Sequence, residues 1–203
     1  MKIKNCRICS NKKLFNLFSL GKLNFTGKFT KNLKTSIPKA EVTLVMCSKC
    51  KLVQLNQNFN PNYLYGKDYG YRTGINSTMI NHVKSIVTTL SNKLKFKKGD
   101  AVLDIASNDG TLLNFYNKNI YTVGIDPLIN KFKSQYKSIN AKVPDFFSHK
   151  SLINKKINKS FKAITALSMF YDLPNPNQFL LDIKKILATD GILIDLDNTP
   201  DRH

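Results

Sequence analysis

Apolar and polar positions change rhythm along this chain, and each rhythm predicts a different kind of element. Over residues 1–56, short apolar runs are broken by Gly, Asn, Ser and Lys, the pattern of a loop-rich, strand-containing unit too small to own much core. Residues 57–75 interleave Tyr63, Tyr65, Tyr69 and Tyr71 with Gly66, Gly70 and Gly74 and read as a linker. From Ser77 onward, Met79, Ile80, Val83, Ile86, Val87, Leu90 and Leu94 recur at three- and four-residue spacings, which predicts one helix with a single apolar stripe. Asn76 or Ser77 can cap its first turn.

Beyond that helix the pattern becomes strand, turn, helix. Ala101–Ala106 is a continuous apolar run, as a strand buried on both faces requires. Thr111–Tyr116 reads as a helix and Tyr121–Ile125 as the next strand. Residues 141–146 supply a third strand and Phe161–Leu167 a fourth. The helix that follows carries Phe179, Leu180, Ile183, Ile186 and Leu187 on one side, with Asn175 as cap and Pro176 at its first position. Gly191–Ile194 is a fifth strand. Strands alternating with helices predict an α/β fold, a parallel sheet with crossover helices.

Composition sharpens this picture in two ways. The chain has 203 residues, 42% of them hydrophobic, enough to bury a core. Its apolar runs stop well short of a membrane span, and Met1–Cys6 has no apolar stretch behind it, so a cytoplasmic location is the default expectation. The net charge is +19, which invites a nucleic-acid reading. Only Arg7, Arg72 and Arg202 among the 32 basic residues are arginine, however, and the lysines are spread along the whole chain. That distribution fits a solvated basic surface that recruits an anionic small substrate better than a base-reading face.

All four cysteines fall in two knuckles, Cys6-Arg-Ile-Cys9 and Cys47-Ser-Lys-Cys50. Two such pairs complete a tetrahedral Cys₄ set for zinc, and disulfides do not suit a reducing compartment. With no histidine or carboxylate to leave a position open, the site is expected to be closed and structural.

The loop Asp104-Ile-Ala-Ser-Asn-Asp-Gly110 follows the first buried strand. Ala106 and Asn108 stand where glycines are common, and asparagine tolerates positive φ. Asp126 ends the second strand, where an acid accepts hydrogen bonds from ribose hydroxyls. Asp145, at the end of the third with Phe146 and Phe147, can bond an adenine amino group while a ring packs on the base. Asp104 and Asp109 crowd the place a pyrophosphate would need, which disfavours NAD. S-adenosylmethionine (SAM) carries a sulfonium and an ammonium, so acids around it make electrostatic sense.

These blocks, together with Leu52-Val-Gln-Leu55, Tyr69-Gly-Tyr-Arg-Thr-Gly74, Ile105–Leu113 and Gly124-Ile-Asp-Pro127, resemble the sugar C-methyltransferases that join an N-terminal zinc-binding domain to a SAM-binding domain. The resemblance implies a small zinc domain (1–56), the linker (57–75) and an incomplete Rossmann-like, class I methyltransferase sheet (76–203). It implies SAM as methyl donor and a nucleotide-linked keto-sugar as acceptor. Asp104, Ser107, Asn108, Asp109, Gly110, Asp126, Asp145 and Phe146 would line the SAM site, with Leu167 where such folds close over the methionine part. Tyr69 and Tyr71 would face the acceptor. The stretch Ala166–Pro174 differs from the Asn-Val-Leu-Ala-His form of some members, so a different acceptor is also open. His82 reads as a polar-edge helix residue.

Set against that family, the chain ends at Asn198–His203 without the Glu-His segment, the C-terminal domain or the last two sheet strands. The expectation is therefore a fragment, a split-gene half completed by a downstream chain, or a truncated relative, without useful turnover alone. Two other readings stay open: a zinc-dependent nucleic-acid-binding module, and a non-catalytic SAM-binding partner subunit.

Overall fold

The N-terminal segment buries few of its apolar side chains, and its backbone pairs in a small antiparallel sheet. In the computed structural model, which describes residues 1–25, 30, 32, 34–66 and 68–195, β1 (Leu14–Asn24), β2 (Lys39–Cys47) and β3 (Val53–Leu55) pair in that order. A short helix, α1 (Pro61–Tyr65), follows, with Asn60 accepting from the Asn62 amide. By contacts this unit comprises Met1–Tyr71 with Pro174–Asn177. Within residues 1–71 its buried side chains, among the described residues, are Cys6, Thr43, Val45, Cys47, Gln54 and Gln57. Only Val45 among them is aliphatic, so the unit has no hydrophobic core of the ordinary kind.

The second unit, Arg72–Leu173 with Gln178 onward, is organised as the α/β pattern predicts. Helix α2 runs Ser77–Leu94, capped by the Asn76 side chain on the Thr78 and Met79 amides. Val83, Ile86, Val87 and Leu90 from its stripe are buried. Five parallel strands form one sheet: β4 (Ala101–Ile105), β5 (Tyr121–Ile125), β6 (Ala141–Val143), β7 (Phe161–Ala166) and β8 (Leu187–Ile194), in the order β6-β5-β4-β7-β8. Every residue of β4 is buried, as its unbroken apolar run requires. Helices α3 (His149–Asn154) and α4 (Pro176–Ile186) cross between strands, and α4 begins at Pro176 as its sequence predicts. This strand order, reversing direction from β4, is the Rossmann-like arrangement.

The structure departs from expectation where local chemistry wins over periodicity. The helix predicted over Thr111–Tyr116 shrinks to a 3₁₀ turn at Leu113–Phe115, closed by bonds from Phe115 to Leu112 and from Tyr116 to Leu113. Six residues followed by Asn117-Lys-Asn119 are too few to recover the cost of nucleating an α-helix. The connection from β5 to β6 is likewise a succession of turns rather than a crossover helix. Strand β6 stops at Val143 instead of 146, because Pro144 has no amide to donate to the ladder. β8 starts earlier than predicted, at Leu187, with a register shift between Phe161 and Ala163 on its partner.

Candidate functional site

The four cysteine sulfurs lie within 4.8 Å of one another. Cys6 and Cys50 are 3.6 Å apart and Cys9 and Cys47 3.5 Å, against about 3.8 Å for ligands on a tetrahedral zinc with Zn–S near 2.3 Å. The two knuckles share one turn: Ser10 bonds Cys6 O and Lys51 bonds Cys47 O, and both Ser10 (φ 59) and Lys51 (φ 64) are left-handed. For Cys47, burial raises the thiol pKa, but amides of Cys50 and Lys49 and the Asn11 side chain outweigh it and bring it down to about 6. Cys50 goes the other way: the Leu52 amide favours its thiolate, yet burial and the neighbouring sulfurs prevail and push it to about 12. Four thiolates this close need a cation between them, and a divalent ion supplies it. The donor set and spacing fit zinc, and the site is closed.

Arg7, inside the first knuckle, fastens it to the sheet. Its guanidinium donates to Leu55 O at 2.6 Å, Gln57 O at 2.8 Å and the Asn58 side chain at 2.7 Å. The orienting role of this arginine has no signature in the cysteine spacing.

The second cluster sits at the carboxyl ends of β4, β5, β6 and β7, the edge where open parallel sheets bind ligands. The turn after β4 is built on three left-handed residues, Ala106 (φ 56), Asn108 (φ 50) and Gly110 (φ 76). At Gly110 a Cβ would fall 2.8 Å from Ile139 Cδ1, so glycine is required there for space as well as for φ. Asp126 follows β5 and accepts from the amides of Asn108 (2.9 Å) and Leu128 (2.7 Å). Each of its oxygens retains a further acceptor site for a hydroxyl. Asp104 is fully enclosed in β4 and accepts from Thr165 Oγ1 at 2.5 Å. Burial pushes its carboxyl up to about 7, with the Thr165 hydroxyl opposing and the Asp126 charge adding. Asp126 is pushed up to about 6 by burial, against its two amide donors and with Asp109 adding. Ser107 meets Tyr136 Oη at 2.8 Å, and that phenol donates to Asn108 O.

The sequence-predicted cofactor residues divide by environment. Ser107, Asn108, Asp109, Gly110 and Asp126 come together around one turn and are buried, Asp104 lies just inside it, and Leu167 follows β7. Asp145, two residues past β6, is exposed, and Phe146 beside it is half-buried. Phe147 packs edge-on against Phe179 in the core. Asp109 accepts from Arg72, Gly74 and Thr111, all protein partners. Tyr69 and Tyr71 belong to the other unit, where their rings are 6.4 Å apart. Thr165 and Tyr136 carry no role in the sequence reading, and Arg72–Gly74 enters it only within the Tyr69–Gly74 block of the family resemblance. A cavity lined by Gly99, Asp100, Lys159, Lys162 and Asp190 opens at the opposite end of the strands, away from the turn.

Comparison with known proteins bears on the cysteine cluster directly. Residues 6–65 match the family model described as "Putative zinc binding domain". Over 134 residues the chain is 25% identical to the C-methyltransferase NovU of Streptomyces niveus, an alignment covering 63% of this chain and 31% of that protein. The chain is thus similar in sequence to a C-methyltransferase. Among solved structures, it is similar to the plantazolicin methyltransferase BamL in complex with a triazolic desmethylPZN analog and SAH, at TM-score 0.47 and 23% identity over 60% of this chain and 48% of that one. A S-adenosylmethionine-dependent methyltransferase from Clostridium acetobutylicum gives TM-score 0.45 and 15% identity over 57% and 49%. The chain spans about a third of the curated protein it matches and under half of either structure. Among its described residues, no helix is long and apolar enough to cross a membrane.

Proposed function

We propose that this chain binds SAM at the Ala106–Gly110 turn and forms the zinc-bearing and cofactor-binding part of a C-methyltransferase whose acceptor is a small, nucleotide-linked keto-sugar. The observation that carries the proposal is the pair of enclosed carboxylates near adjoining strand ends, Asp104 and Asp126. Buried acids at a ligand-binding edge favour a cation over a pyrophosphate, and a sulfonium with an ammonium is such a cation. Asp126 would accept from the ribose hydroxyls, while Asp145 and Phe146 would hold the adenine. The match to a C-methyltransferase supports carbon as the methyl-accepting atom.

The bound cofactor supplies an electrophilic methyl on sulfur. For a ketone acceptor, a base takes the proton beside the carbonyl and the resulting enolate carbon bonds to that methyl. The S–CH₃ bond breaks as the C–CH₃ bond forms, and the sulfonium becomes a neutral thioether. Tyr69 and Tyr71 are the acceptor-side groups in this reading, positioning the ketone through their hydroxyls or assisting the base. A zinc ion held by Cys6, Cys9, Cys47 and Cys50 would have no reacting role; it would hold the N-terminal unit together. Free thiolates in its ligand set suit a reducing, cytoplasmic setting.

Calorimetry with zinc-loaded protein tests the reading. SAM and S-adenosylhomocysteine (SAH) are expected to bind and NAD is not. Asp126→Ala removes a charge-assisted acceptor worth about 1.5–3 kcal/mol, so SAH affinity drops roughly tenfold or more. Unchanged affinity in that variant would remove Asp126 from the site.

A further inference from the structure

Three consecutive residues upstream of α2 deliver donors onto two consecutive side chains of the turn. Arg72 Nε reaches Asp109 Oδ2 at 3.3 Å and the Gly74 amide reaches the same oxygen at 3.0 Å. Between them, the Thr73 amide donates to Asn108 Oδ1 at 3.0 Å. Asp109 Oδ1 turns back onto its own loop, accepting from Thr111 Oγ1 at 2.6 Å and from the Thr111 amide at 3.3 Å. The approach demands glycine at 74: a Cβ there would lie 2.7 Å from Thr111 Oγ1 and 2.8 Å from Asp109 Oδ2. The Arg72 guanidinium also sits over the Phe132 ring, 5.3 Å from its centroid. The Asp109 side chain is 1% exposed, and among the described residues both of its oxygens accept from protein donors.

Asn108 connects this latch to the proposed ribose acid. Its side chain is held by Thr73, its carbonyl by Tyr136, and its amide bonds Asp126 Oδ2 from a left-handed backbone. Displacing Thr73 therefore frees the residue that orients Asp126. Building on the SAM-binding reading, we propose that Asp109 is a positioning residue that makes no contact with the cofactor: with Arg72 it latches residues 72–74 onto the turn and sets cofactor affinity through Asn108 and Asp126. The latch also explains how an enclosed carboxylate is tolerated beside Asp126. Arg72 balances it, and removing Arg72 alone strands a buried charge. Replacing Asp109 by asparagine in the same protein removes that stranded charge.

A double-mutant cycle separates this from direct contact. SAH affinity and backbone amide exchange are measured for wild type, Arg72→Ala, Asp109→Asn, the double variant and Arg72→Lys, each below its own melting temperature. Arg72→Ala is expected to weaken SAH binding roughly tenfold and to speed exchange at Thr73 and Gly74 in the ligand-free protein. Adding Asp109→Asn to Arg72→Ala costs no further affinity or recovers part of it, and Arg72→Lys, which keeps the charge, falls between wild type and Arg72→Ala. Losses that multiply across the two sites would mean that Asp109 contacts the cofactor itself and would overturn the proposal. So would unchanged exchange at Thr73 and Gly74, a result that stands even if a variant folds poorly, because Arg72→Lys gives the same readout. Wild-type protein that binds no SAH sinks the SAM reading and the affinity claim with it, whereas the exchange data decide the latch separately.

Discussion

Asp104 shows how a single enclosed carboxylate marks the pH response of the whole chain. Its folded pKa of about 7 lies above its ordinary value, so the folded state holds a proton that the unfolded chain has already released. Stability attributable to Asp104 is thus fully present below the unfolded pKa near 4 and is lost as pH rises through 7. Urea unfolding should show wild type losing about 2–3 kcal/mol more than Asp104→Asn between pH 5 and pH 8. Asparagine keeps the acceptor for Thr165, so equal losses in the two proteins would contradict the assignment. At this scale the sequence was partly legible. Positive φ at Ala106 and Asn108 followed from where glycines were missing, and Asp126 from its place at a strand end. The Tyr136 phenol on Ser107 was not legible, because nothing local in a sequence separation of 29 residues signals a side-chain pair. Asp109 was read as a cofactor ligand, and its protein partners 35 and 37 residues upstream could come only from the fold.

Elements were read best where one force acted alone. Helix α2 matches its predicted span because an unbroken apolar stripe and an asparagine cap agree. β4 and β5 match because both of their faces are buried. The turn at Leu113–Phe115 fails the helical expectation because its length is marginal and its side chains are drawn inward by the sheet. In the N-terminal sheet the apolar pattern says little, since Phe15, Leu17, Phe18, Leu20 and Leu23 of β1 are all exposed. The four cysteines carry the order of that unit instead. Metal analysis should find one zinc per chain held by Cys6, Cys9, Cys47 and Cys50, contributing on the order of 10 kcal/mol to folding of the unit. Cys47→Ser should release the metal and open residues 1–56 to proteolysis while amides in β4, β5 and β7 stay protected. Retained zinc in that variant, or loss of protection in both units together, would count against a metal-built N-terminal unit.

For the whole molecule, alternating strands and helices fixed the parallel sheet before any contact was known, and the strand order then placed the acids. The strand order sets the ends of β6, β5, β4 and β7 side by side, which gathers Asp145, Asp126, the Ala106–Gly110 turn and Leu167 along one edge. The zinc unit is legible from eight residues of sequence, the two knuckles, because metal ligation depends on spacing rather than on packing. The central claim is that this edge holds SAM. Its most direct test is a titration of SAH into the zinc-loaded, isotope-labelled chain, followed through backbone amide resonances. The account predicts saturable shifts concentrated at Ser107–Gly110, Asp126–Leu128 and Asp145–Phe147, with the Cys₄ knuckles unmoved. Shifts absent from those three segments, or centred on the Lys159–Lys162 end of the sheet, would contradict it.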